Sequence, residues 1–287
     1  MSAAAPEFQA RIARLFIYPV KSCAGVELRE AVLTEAGLDL DRAWMVVDAD
    51  GVGVTQRELP RLALVRTQLK HHEVVLRAPG MLALHLQVDA VESPARVRVW
   101  DDEVPAWDMG DVAAQWFTDF LGQRLRLVRF DPEHRRLSNL EWTGGVEAPN
   151  QFSDGYPVLV LGEAALAQLN DRLAAGGHAP VGIERFRPNI VLAGGEPHDE
   201  DRVGEFVVAA DGPVRLRLVK PCARCPIPDI DPATAQRSPE VSDALQGYRS
   251  DARLDGAVTF GMNAIVLEGD GQLLRVGQGV TGSWRFD

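Results

Sequence analysis

The 287-residue chain is short of three things. It has only three cysteines, Cys23, Cys222 and Cys225. An odd count in a chain of this length excludes a secreted disulfide scaffold. Of its 30 basic residues only Lys21, Lys70 and Lys220 are lysine. No run approaches the roughly 18 consecutive apolar residues of a membrane span. The opening MSAAAPEFQARIARLF also lacks a basic start followed by a long apolar core, so no signal peptide is expected. Acidic residues outnumber basic ones, 41 to 30. The net charge of −11 makes the chain a poor partner for nucleic acid or an anionic membrane, since both need a basic surface. The expected location is a reducing cytoplasm.

The remainder is ordinary globular composition, 46% hydrophobic and 25% charged, with length for about two domains. The first hundred residues read mostly as short strands at 11–18, 26–34, 44–48, 52–56, 62–68, 73–77, 82–88 and 96–100. Asp50-Gly51 between two apolar runs is a hairpin signal. The period then changes: Val112, Trp116 and Phe120 recur every four residues, which predicts a helix over 111–121 capped by Asp111 and ended by Gly122. A second helix is expected over 163–174, with Leu166, Leu169 and Leu173 inward. Strands follow near 157–161, 189–192, 205–209, 214–219, 257–267 and 273–276. The fold class is therefore mainly β with a few helices. A polar stretch at 131–150 separates an expected first domain, 8–130, from a second, 131–287.

The scarce residues are not scattered. Lys21 lies two residues before Cys23, and Lys220 two before Cys222 and five before Cys225. Lys220-Pro221-Cys222-Ala223-Arg224-Cys225 follows an apolar strand and precedes a loop stiffened by three prolines. A cysteine there, beside Lys220 and Arg224, is expected to have its thiolate favoured, the form that binds a soft metal or attacks an electrophile. A structural zinc site needs about four ligands, and neither a second C-x-x-C nor a near histidine is present, since His198 is 24 residues away. A thioredoxin-like pair needs a helix after the motif, where Pro226 and Pro228 stand. In Tyr18-Pro19-Val20-Lys21-Ser22-Cys23-Ala24-Gly25, Lys21 and Ser22 offer a point charge and a hydroxyl to an anion. In Arg185-Phe186-Arg187-Pro188-Asn189, Arg187 can grip an anion bidentately and Asn189 can read a planar heterocycle. Arg42 is a further cation between apolar neighbours, and Gly155, in the turn Ser153-Asp154-Gly155-Tyr156, permits close backbone approach.

Taken in order, IYPVKSCAGVEL (17–28), DRAWMVVD (41–48), TQRELPRLALV (55–65), FSDGYPVLVL (152–161), RFRPNIVL (185–192) and KPCARCPIPDIDPAT (220–234) resemble the MOSC family, named for the C-terminal domain of molybdenum-cofactor sulfurases. FGMNAIVLE (260–268) and LLRVGQGV (273–280) fit as well. The resemblance spans nearly the whole chain and implies an N-terminal β-barrel domain followed by a MOSC β-barrel domain. Its plan is most similar to the amidoxime-reducing enzymes and their bacterial relatives. That implies a molybdenum ligand at Cys225 and a pterin and phosphate held by Lys21, Ser22, Arg42, Arg187, Asn189 and Arg224. Asp154, Gly155 and Tyr156 in the pre-strand turn and the backbone of Ala223 complete the implied set. Asn263 occupies a position often aromatic or polar near the cofactor. Two other departures are Ala235, often glycine in the family, and Asp108-Met109-Gly110, usually Asp-Cys-Gly.

The implied function is reduction of N-hydroxylated small molecules by a molybdenum-cofactor oxidoreductase fed by an external electron-donor protein. The alternative is a non-catalytic MOSC protein that carries the cofactor, or sulfur as a persulfide on Cys225. Neither an iron–sulfur cluster nor a pyridoxal-phosphate domain is expected in this chain, because the cysteines are already placed and no length is left.

Overall fold

The apolar runs of the second half of the chain close on themselves. In the computed structural model, which describes residues 8–285, seven strands form a barrel: Phe8–Ile17, Val158–Gly162, Ile190–Ala193, Val203–Val208, Arg215–Ala223, Ala257–Glu268 and Gly279–Trp284. Residues 1–7, read above for a leader, and the last two residues of the expected second domain lie outside the described residues. Around the barrel, Val158–Gly162 is followed by Ile190–Ala193, Phe8–Ile17, Gly279–Trp284, Val203–Val208, Arg215–Ala223 and Ala257–Glu268. That last strand pairs back onto Val158–Gly162, so the edge problem of an open sheet is removed. Inward residues Ile12, Leu15, Val160, Leu192, Phe206, Leu216 and Met262 fill the barrel. Each such fully buried side chain contributes on the order of 1.5–3 kcal/mol.

The opening strand belongs to this barrel, pairing with Ile190–Ala193 on one side and Gly279–Trp284 on the other. Val158–Gly162 and Ile190–Ala193 run parallel, which requires a crossover. Helix Glu163–Ala175 supplies it and buries Ala165, Leu169 and Leu173. The intervening residues build a second core. There, Trp44–Val47, Arg126–Phe130, Asp102–Asp108 and Ser93–Val99 form one sheet, and Arg66–Lys70, Glu73–Arg77 and Leu84–Gln87 another. Helix Asp111–Leu121 lays Ala113, Trp116, Phe117 and Phe120 on this core.

Several sequence expectations are corrected. The 52–56 run makes only isolated bridges, Val47 to Gly53 and Val52 to Arg98. The 62–68 run begins as a 3₁₀ turn at Pro60–Leu64, because Pro60 starts a turn and has no N–H for a ladder. Strands Asp102–Asp108, Arg126–Phe130 and Gly279–Trp284 were not legible, their apolar residues being diluted by charge, proline and glycine. Asp111 does not cap its helix: Gly110 holds the cap position, its N–H donating to Asp108 Oδ1 at 2.7 Å, and Asp111 sits in the first turn. Gly122 ends that helix in the left-handed conformation, φ 79°.

Candidate functional site

The loops at one end of the barrel meet a loop from the intervening domain. Tyr18–Ser22 leaves the opening strand, Arg185–Asn189 enters Ile190–Ala193, Ser153–Tyr156 enters Val158–Gly162, and Ala223–Pro228 leaves Arg215–Ala223. Thr55 and Arg57 arrive from the intervening domain. Together they enclose a cleft of about 810 Å³ including its open mouth. Lys21, Ser22, Arg42, Asp154, Gly155, Tyr156, Arg187, Asn189, Ala223, Arg224, Cys225 and Asn263 all line it.

The backbone at this end is strained. Ser22, Arg42 and Arg187 have φ of 65°, 51° and 58°. A non-glycine residue in the left-handed region costs roughly 1–2 kcal/mol, and such residues gather where the surrounding structure holds them for a function. Here the surroundings are specific. Two guanidiniums lie over the buried Tyr18 ring, with Arg42 Cζ 4.5 Å and Arg187 Cζ 4.2 Å from its centroid. Arg42 donates to Asp41, to Asn189 Oδ1 at 3.1 Å and to the Arg187 carbonyl at 3.1 Å. Arg187 Nη1 donates to the Cys23 carbonyl at 2.7 Å. Asn189 is buried, its oxygen accepting from Leu159 N and Arg42 and its Nδ2 donating to Phe16 O, so it ties three segments and fixes Arg42. Arg224 Nε and Nη1 donate to the Phe260 and Phe186 carbonyls, both at 2.9 Å. Gly261, φ +79°, lets its strand lie close to Val158–Gly162, since a Cβ there would stand 2.8 Å from Val160 O.

Lys21 is 6% exposed. Its ammonium donates to Phe152 O at 2.8 Å and Asp154 Oδ1 at 2.5 Å. Burial pushes the Lys21 ammonium below its ordinary pKa, and Asp154 opposes that shift. Lys21, Arg42 and the Trp100 indole N–H at 3.3 Å hold the Asp154 carboxyl well below the usual range. The turn carrying Asp154 is fastened by Arg136, which donates to Asn150 Oδ1 at 2.6 Å and to the Gln151 and Ser153 carbonyls at 2.8 Å.

Two groups in the walls are left with unmet polar capacity. Arg187 Nη2 and Tyr156 Oη are buried with no hydrogen-bond partner. Leaving a buried donor unpaired costs about 1–3 kcal/mol, so both are available to a ligand. Burial also pushes the Tyr156 phenol up to about 12 and depresses Arg187, with Arg42 adding to the latter.

The cysteines part company. Cys23 is wholly buried in the core of the intervening domain, and burial pushes its thiol up to about 12. Cys222 and Cys225 are half-buried and both line the cleft. The expected favouring of a thiolate fails at Cys222, where burial outweighs Arg224 and raises the thiol above its ordinary value. Lys220 takes no part: its ammonium sits 5.0 Å over the Trp142 ring, away from the cleft. The ladder slips between Pro221 and Ala223, which frees Cys222 from sharing the face of Lys220. Among the described residues no three His, Cys, Asp or Glu gather, so a metal in the cleft must take most of its ligands from elsewhere than side chains of this chain.

Sequence reasoning missed Thr55, Arg57, Arg185 and Phe186 as lining residues. Arg57 Cζ lies 4.3 Å over Trp100, and Arg185 is held by Pro228 O and Asp231. Arg57 stood inside a segment already singled out, TQRELP, but nothing marked it individually. Arg136 carried no sequence signal. The two departures acquire physical content. Ala235 adopts φ 60°, a conformation that suits glycine. Asp108 is buried against Arg126 and Met109 lies in a core, so that segment is structural.

The fold and site define a two-domain β protein whose barrel, capped by a second β domain, opens on a cleft lined by cations and two thiols. Comparison with known sequences gives the family. The profile described as the MOSC N-terminal beta barrel domain matches residues 9–124 and that of the MOSC domain residues 147–281. The chain is 36% identical over 277 residues to mitochondrial amidoxime-reducing component 1 of Homo sapiens, covering 91% of this chain and 80% of that one. It is 36% identical to mitochondrial amidoxime reducing component 2 of Bos taurus, covering 83% and 72%. With the molybdenum cofactor sulfurase of Danio rerio identity is 29% over 88% of this chain but only 31% of that protein. The chain therefore belongs to the MOSC family and pairs the MOSC N-terminal barrel with the MOSC domain. No described helix is long and apolar enough to cross a membrane.

Proposed function

We propose that the chain binds a molybdenum cofactor in this cleft and reduces N-hydroxylated small molecules with electrons from an external donor protein. The observation that carries the reading is the meeting of Cys225 with Lys21, Arg42, Arg187 and Arg224 in one cleft of an acidic protein. The fit of the residues supports it. The buried, unpartnered Arg187 Nη2 and Tyr156 Oη offer donors, and Gly155 leaves open space where a Cβ would stand. The thiols suit a soft metal that brings its other ligands with it. Cys225 is assigned as the thiolate ligand. Lys21, Ser22, Arg42 and Arg187 are assigned to the pterin and its phosphate, with Asn189 and Arg224 holding the walls that present them. The similarity to amidoxime-reducing components supports the substrate class.

When bound, the cofactor supplies two-electron redox chemistry at molybdenum. The net reaction joins R–NH–OH, two electrons and two protons to give R–NH₂ and water. The chain orients the reactants and offsets anionic charge with fixed cations, a preorganised field that costs no rearrangement during reaction. Cys222, kept protonated by burial, holds an S–H in the same cleft. The test is amidoxime reduction by protein made in cofactor-competent cells, with a reductase mixture supplying electrons. Turnover by the wild type that is lost in Cys225→Ala supports the reading, and equal turnover by both refutes it. Similarity to the sulfurase favours one second reading, sulfur carriage on Cys225. A one-sulfur mass increase at Cys225 without pterin would establish it instead.

A further inference from the structure

A second cavity, about 510 Å³ including its mouth, lies against the cleft. The two share Arg185, Arg187 and Ile227 in their walls. The apolar side of the second one is Phe16, Ala24, Ala63, Ile227, Ile230 and Pro232, and Gln56, Glu184, Arg185 and Arg187 supply its polar side. The contrast follows from position: the cleft collects the loop ends where cations and thiols stand, whereas this cavity lies between the turn after the opening strand and the proline-stiffened loop after Cys225. Ile227, two residues beyond Cys225, faces both spaces, so the loop that carries the thiol also forms the partition. Arg187 faces both as well and keeps its Nη2 buried and unpartnered. A molecule spanning the two spaces would lay its apolar bulk against Phe16, Ile227 and Ile230 while its polar end stands in the cleft. A pocket that joins an apolar wall to a few placed polar groups holds the body of a small organic ligand and fixes its orientation.

We infer that this second cavity binds the apolar aryl or alkyl body of the substrate while its N–OH end reaches the Cys225 side of the partition. The inference deepens the proposed function and rests on it for the identity of the reacting end. The cavity therefore discriminates by the bulk attached to the N-hydroxylated group, and Ala24 and Pro232 are specificity-determining positions. Both lie outside the cleft, and the Ala24 N–H is already fixed on the Val65 carbonyl at 3.0 Å, so a larger side chain at 24 enlarges the wall without breaking that bond.

The test compares benzamidoxime with acetamidoxime, which share the reacting group and differ in apolar bulk. It uses the full cofactor-loaded chain, its Ala24→Phe variant and its Pro232→Trp variant. Filling the cavity is expected to raise KM for benzamidoxime by about tenfold, the scale of losing one apolar contact, while KM for acetamidoxime changes less than about twofold. Saturation-transfer NMR of benzamidoxime without electron donor gives a readout independent of turnover, and the signal is expected to weaken in both variants. Weakened binding with no reduction by any protein keeps the cavity assignment and removes the reductase reading. Unchanged benzamidoxime binding and KM in both variants, or equal losses for the two compounds, overturns the assignment.

Discussion

Taking a lysine ammonium out of water costs several kcal/mol unless a partner offsets it. At Lys21 the partners are the Phe152 carbonyl and the Asp154 carboxylate, and they are unequal in their own exposure: Asp154 has 67% of its side chain open to water and Lys21 has 8%. Removing either one therefore has different consequences. Asp154→Asn strands a buried charge and is expected to cost about 1–3 kcal/mol in urea unfolding. Lys21→Met leaves Asp154 to water and is expected to change stability by less than about 1 kcal/mol while abolishing cofactor retention. Because the folded Asp154 pKa is depressed, its ionised state supports the fold above the unfolded aspartate value of about 3.9, and that support is lost as pH falls further towards the folded value. Equal stability losses in both variants would contradict this account. At this scale the sequence was legible where rarity and spacing coincided, as at Lys21 and Cys225, while Arg187 stood out only through the family resemblance. It was not legible at Arg136 or at Lys220. Whether an arginine fastens a loop depends on carbonyls brought from elsewhere, and a slip in a ladder turns Lys220 to the other face.

Two elements that support the cleft carry predictions of their own. The loop after Cys225 folds over Asp231, whose carboxylate accepts from Ala233 N at 2.7 Å and Thr234 N at 3.0 Å, and it forces Ala235 to φ 60°. Relief of left-handed strain is set against the greater unfolded-state entropy of glycine. Ala235→Gly is thus expected to stabilise the protein by up to about 1 kcal/mol, read as a higher urea midpoint. Helix Glu163–Ala175 begins at Gly162, whose N–H donates to Glu200 Oε1 at 3.1 Å. Glu200 is buried, and burial, with Asp201 adding repulsion, pushes its carboxyl up to about 7. Between its unfolded value of 4.5 and about 7 the folded chain holds a proton that the unfolded chain releases. Stability should therefore fall as pH rises through that window, by at most about 1.4 kcal/mol per pH unit. Glu200→Gln should flatten that slope in denaturation series at several pH values, and an unchanged slope would refute it. The helix itself was readable from its apolar spacing. Glu200 was not, because its burial depends on a 3₁₀ turn, Asp199–Arg202, packed against the barrel strands Val158–Gly162 and Ala257–Glu268.

For the whole molecule, the barrel that presents the cleft is assembled from both ends of the chain. Phe8–Ile17 bridges Ile190–Ala193 and Gly279–Trp284, and no local pattern announces a pairing across more than 170 residues (Arg11 with Ala193, for instance). The strand was legible from its own residues, but its partners were not. A fragment of residues 131–287 lacks the strand that two of its neighbours require, leaving apolar edges exposed. It is expected to lack a cooperative thermal transition and a dispersed NMR spectrum, and addition of a peptide covering residues 8–17 is expected to restore part of both. A fragment that folds cooperatively alone would contradict the architecture. The same assembly gathers twelve residues from six separated segments into one cleft, so the site exists only in the complete barrel. The measurement that bears most directly on the central claim is molybdenum and pterin content after expression in cofactor-competent cells supplied with molybdate. The account predicts close to one molybdenum per chain in the wild type and loss of the metal in Cys225→Ala. A wild-type protein free of both metal and pterin, or a Cys225→Ala protein that keeps its molybdenum, would contradict it.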